Sequence, residues 1–236
     1  MHNTRKHMQL LCGIISMLLL APGCGNRLQE KGEACLALGD FENSIVFFQK
    51  ALKKNPESFP VRYGLARAFL QQCISMELEG NAAPGHWHHA MRQFEYALRL
   101  DATDSVRLSL AFARYRFAGA LAQAGDSLRA LEVCIDGAKE NPRNREILNY
   151  AGILSYRLGF IRHARDFFIQ STVADSSDPS AFFNLGLVQW HEGEILSARE
   201  SWLKTLKLNP EDPKVIRWLT RADLALRKGT NNASDR

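Results

Sequence analysis

Residues 180–212 of this chain, SAFFNLGLVQWHEGEILSARESWLKTLKLNPED, predict two amphipathic helices joined by a short turn. Apolar residues recur at helical spacing on both sides of Gly193, and glycine commonly interrupts a helix. Pro210 follows the second apolar pattern, where proline usually ends a helix. We therefore expect this stretch to form a helical hairpin.

The spacing of four residues in this hairpin carries more information than its apolar pattern. Gly186 is followed by Ala198 after 12 residues, by Trp202 after 4 more and by Pro210 after 8 more. Small residues at Gly186 and Ala198 would let the two helices cross closely, and the Trp202 ring would fill the space behind the crossing. We therefore expect Trp202 to lie in the core.

The same spacing recurs along the chain. The other sets are Gly152, Ala164, Phe168 and Ser176; Ala118, Ala130, Cys134 and Pro142; and Gly32, Ser44, Phe48 and Pro56. Gly125, Gly159 and Gly193 are 34 residues apart in turn. A fifth set contains Ala66 and Ala90, which are separated by 24 residues rather than 12. The chain is therefore built from a 34-residue repeat, one copy of which carries an insertion.

This spacing resembles the signature of the tetratricopeptide (TPR) repeat, W-x-x-L-G-x-x-Y, then A-x-x-x-F, then P. Leu185-Gly186 matches the L-G pair, while Phe182 and Gln189 replace the family's tryptophan and tyrosine. The resemblance implies an all-α fold, a solenoid of helix-turn-helix repeats wound as a right-handed superhelix. We expect about five repeats and a C-terminal capping helix.

The predicted boundaries follow from this register. They are 1–23 for a signal peptide, 24–228 for the solenoid and 229–236 for a disordered tail; within the solenoid the repeats cover about 25–58, 59–104, 111–144, 145–178 and 179–212, and the cap covers 213–228. The insertion lies within 73–87, and its turn-rich end, 80–85, is predicted to be a loop. Asp104 is predicted to start the next helix early. Cys35 and Cys134 fall at core positions, whereas Cys73 is the only candidate for an exposed thiol.

The first 24 residues have the shape of a secretory signal, with a basic start, a short apolar core and small residues before Cys24. The end of this segment resembles the lipobox of bacterial lipoproteins, although Ala21 stands where that family prefers leucine. The resemblance implies cleavage before Cys24 and lipidation of that residue. Gly25 follows Cys24, with no aspartate to signal retention, so we expect the outer membrane, facing the periplasm. The alternative is an ordinary signal peptide with an incidental cysteine.

The charge balance gives no indication of a nucleic-acid partner. The chain carries 30 basic and 25 acidic residues, a net charge of +5. Removal of the signal peptide takes away Arg5 and Lys6 and leaves a net charge of about +3, too weak for a nucleic-acid footprint.

Catalytic and cofactor-binding motifs are missing from the sequence. It contains no G-x-S-x-G elbow, phosphate loop or dinucleotide fingerprint, and His191-Glu192 lacks the second histidine of a zinc protease helix. The chain is therefore predicted to be no enzyme and to need no cofactor or metal. An alternative is a metal-handling or enzymatic accessory protein that uses the histidine-rich insertion. Its candidate ligands are Cys73, Glu77, Glu79, His86, His88 and His89, although the motif HWHH has no established ligand spacing.

The predicted function depends on a surface rather than on catalytic chemistry. In TPR solenoids the first helices of successive repeats line a concave face, and fixed positions point into it. Carried over to this chain, these positions give Tyr63, Arg67, Gln71, Tyr115, Gln123, Asn149, Tyr156, Arg157 and Trp190, to which the cap adds Arg217 and Arg221. Tyrosine, tryptophan and arginine are enriched at binding hot spots. Phe183 and Leu187, which also fall at such positions, are expected to pack between neighbouring first helices instead.

The Lys/Asn/Arg clamp that holds a C-terminal carboxylate in some TPR proteins is not reproduced at these positions. We therefore expect a non-catalytic, membrane-anchored scaffold that binds a protein or peptide partner in cell-envelope assembly, of the pilus or secretion type.

Overall fold

The computed structural model describes residues 24–234, and side chains for 27–227. The predicted signal peptide, 1–23, lies outside the described residues. Residues 24–234 contain eleven helices and no strand. They are α1 Cys24–Ala37, α2 Phe41–Lys54, α3 Phe59–Leu78, α4 Pro84–Leu100, α5 Asp104–Gln123, α6 Ser127–Glu140, α7 Arg145–Arg157, α8 Ile161–Ala174, α9 Pro179–His191, α10 Ile195–Leu208 and α11 Pro213–Ser234. The predicted all-α class is confirmed, and α5 begins at Asp104 as predicted.

Short polar residues start several helices, and glycine ends them. Asn144 accepts a hydrogen bond from the Ile147 amide at 2.8 Å and so caps α7. At the end of α9, Gly193 adopts a φ of 81°, and the Glu194 amide donates to the Gln189 carbonyl at 2.8 Å. This left-handed turn favours glycine and satisfies carbonyls at the helix end. It explains why a glycine recurs at the hairpin turns of the sequence repeat.

The chain divides after Ala120 into two compact units, which are described separately. In unit 1, α1 packs on α2, α2 on α3 and α3 on α4, and α1 also contacts α3. The Phe48 ring of α2 is fully buried against Gly32 of α1 and Gly64 of α3. Ser44 replaces the usual small alanine, and its hydroxyl donates to the Gly32 carbonyl at 2.9 Å. The Ser44 hydroxyl therefore has a hydrogen-bond partner inside the helix crossing.

The insertion in unit 1 mainly lengthens two helices. α3 has 20 residues and α4 has 17, and only residues 79–83 connect them. The predicted loop over 80–85 is therefore too long, since Pro84 and Gly85 belong to α4. Proline fits the first turn of a helix because its missing amide has no helical partner there, so Pro84 starts the helix.

The prediction for Cys73 was wrong. Its side chain is 1% exposed, because the residue lies inside the lengthened α3 rather than in a loop. Burial raises the pKa of the Cys73 thiol to about 11, and a hydrogen bond with its own backbone opposes part of this shift. Cys35 and Cys134 are buried as predicted, and burial raises the pKa of Cys134 to about 12. The thiolate forms of Cys73 and Cys134 are therefore scarce near neutral pH.

Unit 2 repeats the same packing. Each helix from α6 to α11 contacts the next, and α7 also contacts α9. Trp202 and Phe168 are buried, as predicted, and the Trp202 indole N–H donates to the Phe183 carbonyl at 3.2 Å. Gln189, which departs from the family's tyrosine, accepts a hydrogen bond from the Ser201 hydroxyl at 2.7 Å. The buried amide oxygen is thereby satisfied, so the departure leaves the hairpin intact.

The last helix is longer than the sequence predicts. α11 runs to Ser234, although residues 229–236 were expected to form a disordered tail. No proline interrupts residues 229–234, and Gly229 alone lowers the stability of a helix by only about 1 kcal/mol relative to alanine. In the part of the chain that the structure describes, no helix is both long and apolar enough to cross a membrane.

Candidate partner-binding faces of the two units

The first helices of unit 2, α7 and α9, and the cap α11 are joined by side-chain contacts that run from helix to helix. Asn184 of α9 donates a hydrogen bond from its amide nitrogen to Asn149 of α7 at 3.0 Å. Tyr156 of α7 meets His191 of α9 edge-on, with ring centroids 6.0 Å apart. We call this surface the first-helix face of unit 2. The structure therefore places Asn149 and Tyr156 beside the neighbouring first helix.

Trp190 has a larger structural role than the sequence suggested. It is half-buried, and its ring lies 5.9 Å from Trp202 and 5.7 Å from Trp218 between centroids. Phe183 and Leu187 pack against the same cluster, as predicted. Trp190 therefore joins the helices of unit 2, and substitution at this position would disturb packing as well as the surface.

Exposed arginines lie on the helices that form this face. Arg157, Arg217 and Arg221 are exposed, and within the described residues none of them forms an ion pair. The Arg221 guanidinium lies 4.9 Å from the centre of the Trp218 ring, so Trp190 and Arg221 both contact Trp218. Gln123, at the end of α5, is also exposed in unit 2. The face thus combines aromatic rings with unneutralised positive charge.

The predicted residues of unit 1 form a smaller group. Tyr63 is half-buried, stacks on Phe59 and approaches the Ser109 hydroxyl at 3.5 Å. Arg67 lies over the Tyr63 ring and pairs with Glu33 at 3.4 Å. Gln71 of α3 and Tyr115 of α5 are exposed. The Arg67 charge is therefore partly neutralised, in contrast to the charges of Arg157, Arg217 and Arg221.

The histidines of the insertion are engaged in different contacts. His86 accepts a hydrogen bond from the Ala83 amide at 3.1 Å, the His88 ring lies against Phe117, and the His89 ring stacks on Phe69. Glu77 pairs with Arg116. Residues 24–234 contain no group of three metal-ligating side chains within reach of one ion. The arrangement therefore gives the metal-handling alternative no support.

The sequence prediction missed three members of the face, Asn184, His191 and Trp218. Asn184 and His191 each lie 35 residues after the side chain they contact in the preceding repeat. Side chains that contact each other across adjacent first helices are thus separated in sequence by one repeat length plus one residue. This offset is a signal that the sequence contains and that could have identified both residues.

The family comparison agrees with this geometry. The family model described as tetratricopeptide repeat matches residues 27–58, the region predicted as the first repeat. YrrB, a TPR protein with an unusual peptide-binding site, is similar in structure at a TM-score of 0.53 and 18% identity, over 81% of this chain and 89% of that one. Residues 27–58 match the tetratricopeptide repeat, and the chain has the fold of tetratricopeptide-repeat proteins.

Two further solved structures have the same fold. MamA aligns at a TM-score of 0.55 and 17% identity, over 80% of this chain and 94% of its own. The pilF protein of Pseudomonas aeruginosa aligns at a TM-score of 0.51 and 18% identity, over 89% of this chain and 87% of its own. No curated protein sequence matches the chain at a significant level.

Proposed function

We propose that this TPR protein is a non-catalytic scaffold that holds a segment of a partner protein on the first-helix face of unit 2. The observation that carries the proposal is the combination of half-buried rings and exposed arginines on that face. Tyr156 is held by His191, so it offers contact area at low entropic cost, and Arg157 beside it supplies directional hydrogen bonds. The peptide-binding site of YrrB, a protein of the same fold, supports this use of the surface.

The electrostatics of the face favour a partner segment with negative charge. Arg157, Arg217 and Arg221 have no carboxylate partners within the described residues, whereas Glu192 and Glu194 are engaged by Arg165. Complementary charge would speed association and fix the orientation of the bound segment. We therefore propose an acidic segment with apolar residues that contact the rings.

The binding prediction concerns Tyr156 and Arg157. Alanine at either position should weaken binding by more than about 1 kcal/mol, the level that marks the important minority of interface residues. The partner is first identified by a photoreactive amino acid at position 157, and its affinity is then measured by titration with the purified variants. Arg162 is a matched control because it is exposed on α8, the second helix of the same hairpin.

A photoreactive residue at position 162 should yield no comparable adduct, and Arg162→Ala should bind normally. If the face variants bind normally while deletion of residues 79–83 abolishes binding, the connection in the insertion is the binding site and this assignment is wrong.

We also propose that Cys24 is lipidated, which would anchor the protein on the outer membrane facing the periplasm in the service of an envelope assembly. The support is the sequence of residues 1–24 alone. Cys24→Ser should abolish metabolic labelling with a fatty acid and release the protein from the membrane fraction, because two or more acyl chains hold a protein stably. Cys12→Ser, within the apolar core of the signal, is the control and should leave labelling unchanged.

Labelling that persists in Cys24→Ser, or that never occurs in the wild type, would contradict lipidation. Density-gradient separation of the two membranes tests the location independently, and recovery in the inner-membrane fraction would overturn the outer-membrane assignment.

A further inference from the structure

A second cluster of positive charge lies in unit 1, around the ring of Tyr96 on α4. The guanidinium carbons of Arg99, Arg62 and Arg92 lie 4.6, 5.2 and 6.0 Å from the ring centroid. Arg92, Tyr96 and Arg99 share one face of α4, since residues four and three apart are neighbours on a helix. Arg62 reaches the ring from α3. We call these four residues the Tyr96 cluster.

The arginines of the Tyr96 cluster are held in place by neutral groups. Arg62 donates to the Pro56 carbonyl at 3.1 Å and to the Gln93 side chain at 3.4 Å. Arg92 donates to the Tyr96 hydroxyl at 3.4 Å. Arg99 donates through Nε to the Glu95 carbonyl at 3.4 Å, so both of its terminal nitrogens remain available. The cluster is therefore oriented without being neutralised.

No carboxylate of the described residues compensates this charge. None of the three arginines forms an ion pair there, and the nearby Glu95 carboxylate is engaged by Arg114 at 3.2 Å. In addition, the Arg62 Nε–H is buried and has no hydrogen-bond partner in the structure. Like charges gathered around one ring repel each other, and a bound anion would remove that repulsion. The geometry of the Tyr96 cluster therefore has room for a negatively charged group, and the described residues do not supply one.

We propose that the Tyr96 cluster binds a phosphate-type anion, either a soluble phosphate compound or the headgroup of a phospholipid. Guanidinium groups match the geometry of phosphate oxygens with paired hydrogen bonds, and such charge-assisted bonds are among the strongest in proteins. The stacked ring of Tyr96 sets the orientation of the arginines in advance. Glu95 lies between Arg92 and Tyr96 in the sequence, and Asp101 lies two residues after Arg99. Both carboxylates disfavour a long polyanion, so a compact anion fits better than an acidic protein segment.

The experiment uses the full chain and two probes. Calorimetric titration with pyrophosphate tests whether a soluble phosphate compound binds. An ionic strength of about 0.15 M is used because it suppresses long-range electrostatic attraction. Flotation with phosphatidylglycerol vesicles tests the headgroup source, and the N-terminal segment contributes equally in every variant. The test variant is Arg92→Gln/Arg99→Gln, and the control is Arg129→Gln/Arg162→Gln, which removes the same charge from exposed positions of unit 2.

We expect the test variant to bind at least one probe about 10-fold more weakly than the wild type, and the control to bind as the wild type does. The probe that responds identifies the source. Arg92→Lys/Arg99→Lys keeps the charge but removes the planar, paired N–H donors of the guanidinium group. This variant should therefore still bind more weakly than the wild type. Circular dichroism checks that each variant is folded.

Several results would overturn the proposal. They are failure of the wild type to bind either probe, equal loss of binding in the control variant, and full binding by the lysine variant. Preferential capture of an acidic peptide over both probes would also overturn it, in favour of a protein ligand.

Discussion

Replacement of Trp202 by alanine is expected to lower the free energy of unfolding by about 3–5 kcal/mol, the usual range for a buried aromatic ring. The Trp202 side chain is fully buried and lies 5.1 Å from Trp218 and 5.9 Å from Trp190 between ring centroids. Its ring also fills the space that Gly186 leaves open on α9. Alanine would create a cavity at the crossing of three helices, and the indole hydrogen bond to the Phe183 carbonyl would be lost.

Urea unfolding followed by far-UV circular dichroism measures this effect, since loss of an indole would confuse a fluorescence signal. Leu203→Ala is the matched control, because the adjacent side chain is 40% exposed and its removal should cost less than about 1 kcal/mol. A loss of less than about 1 kcal/mol for Trp202→Ala would show that the ring does not support the hairpin as described.

The hairpins could be predicted from the sequence because their determinants are local and repeated. A small residue, a second small residue 12 positions on and a ring 4 positions further describe one helix crossing. The structure has this arrangement at Gly186 with Trp202, at Gly152 with Phe168 and at Gly32 with Phe48. Each contact joins residues of one hairpin, so the spacing alone specifies it.

The insertion could not be predicted equally well, because the same residues favour either a loop or a helix start. Gly80, Pro84 and Gly85 together indicate a turn, yet proline is also favoured in the first turn of a helix. The choice depends on tertiary packing: Trp87 is buried, and Arg116 of α5 lies over its ring at 5.3 Å. That contact involves a helix about 30 residues away, and the local sequence does not encode it. The burial of Cys73 follows from the same helix extension.

The candidate site was predictable in position but not in detail. Carrying the family positions over placed Asn149, Tyr156 and Arg157 on a first helix, and the structure gives the first two contacts with the next first helix. The sequence prediction did not indicate that Trp190 would pack against Trp202 and Trp218. Those contacts depend on how the cap α11 meets α10, which the repeat signature does not describe.

Replacement of Gly152 by valine is expected to destabilise the protein by about 1–3 kcal/mol, the usual cost of overpacking a core. A side-chain carbon added to Gly152 would lie 2.5 Å from Cε1 of Phe168, whose ring is 2% exposed and cannot move into solvent. Valine and glycine differ by only about 0.5 kcal/mol in helix propensity, so the clash dominates. Gly119→Val in α5 is the control, since a carbon added there meets nothing within 4 Å, and we expect a change within about 0.5 kcal/mol.

A double-mutant cycle with Phe168→Leu assigns the loss to this contact. The smaller leucine leaves room for valine, so the double variant should lose less stability than the sum of the two single variants, by about 0.5–3 kcal/mol as expected for touching side chains. Chemical unfolding of the four proteins measures the coupling. Additive losses would mean that Gly152 and Phe168 do not meet, which would contradict the helix crossing described for this hairpin.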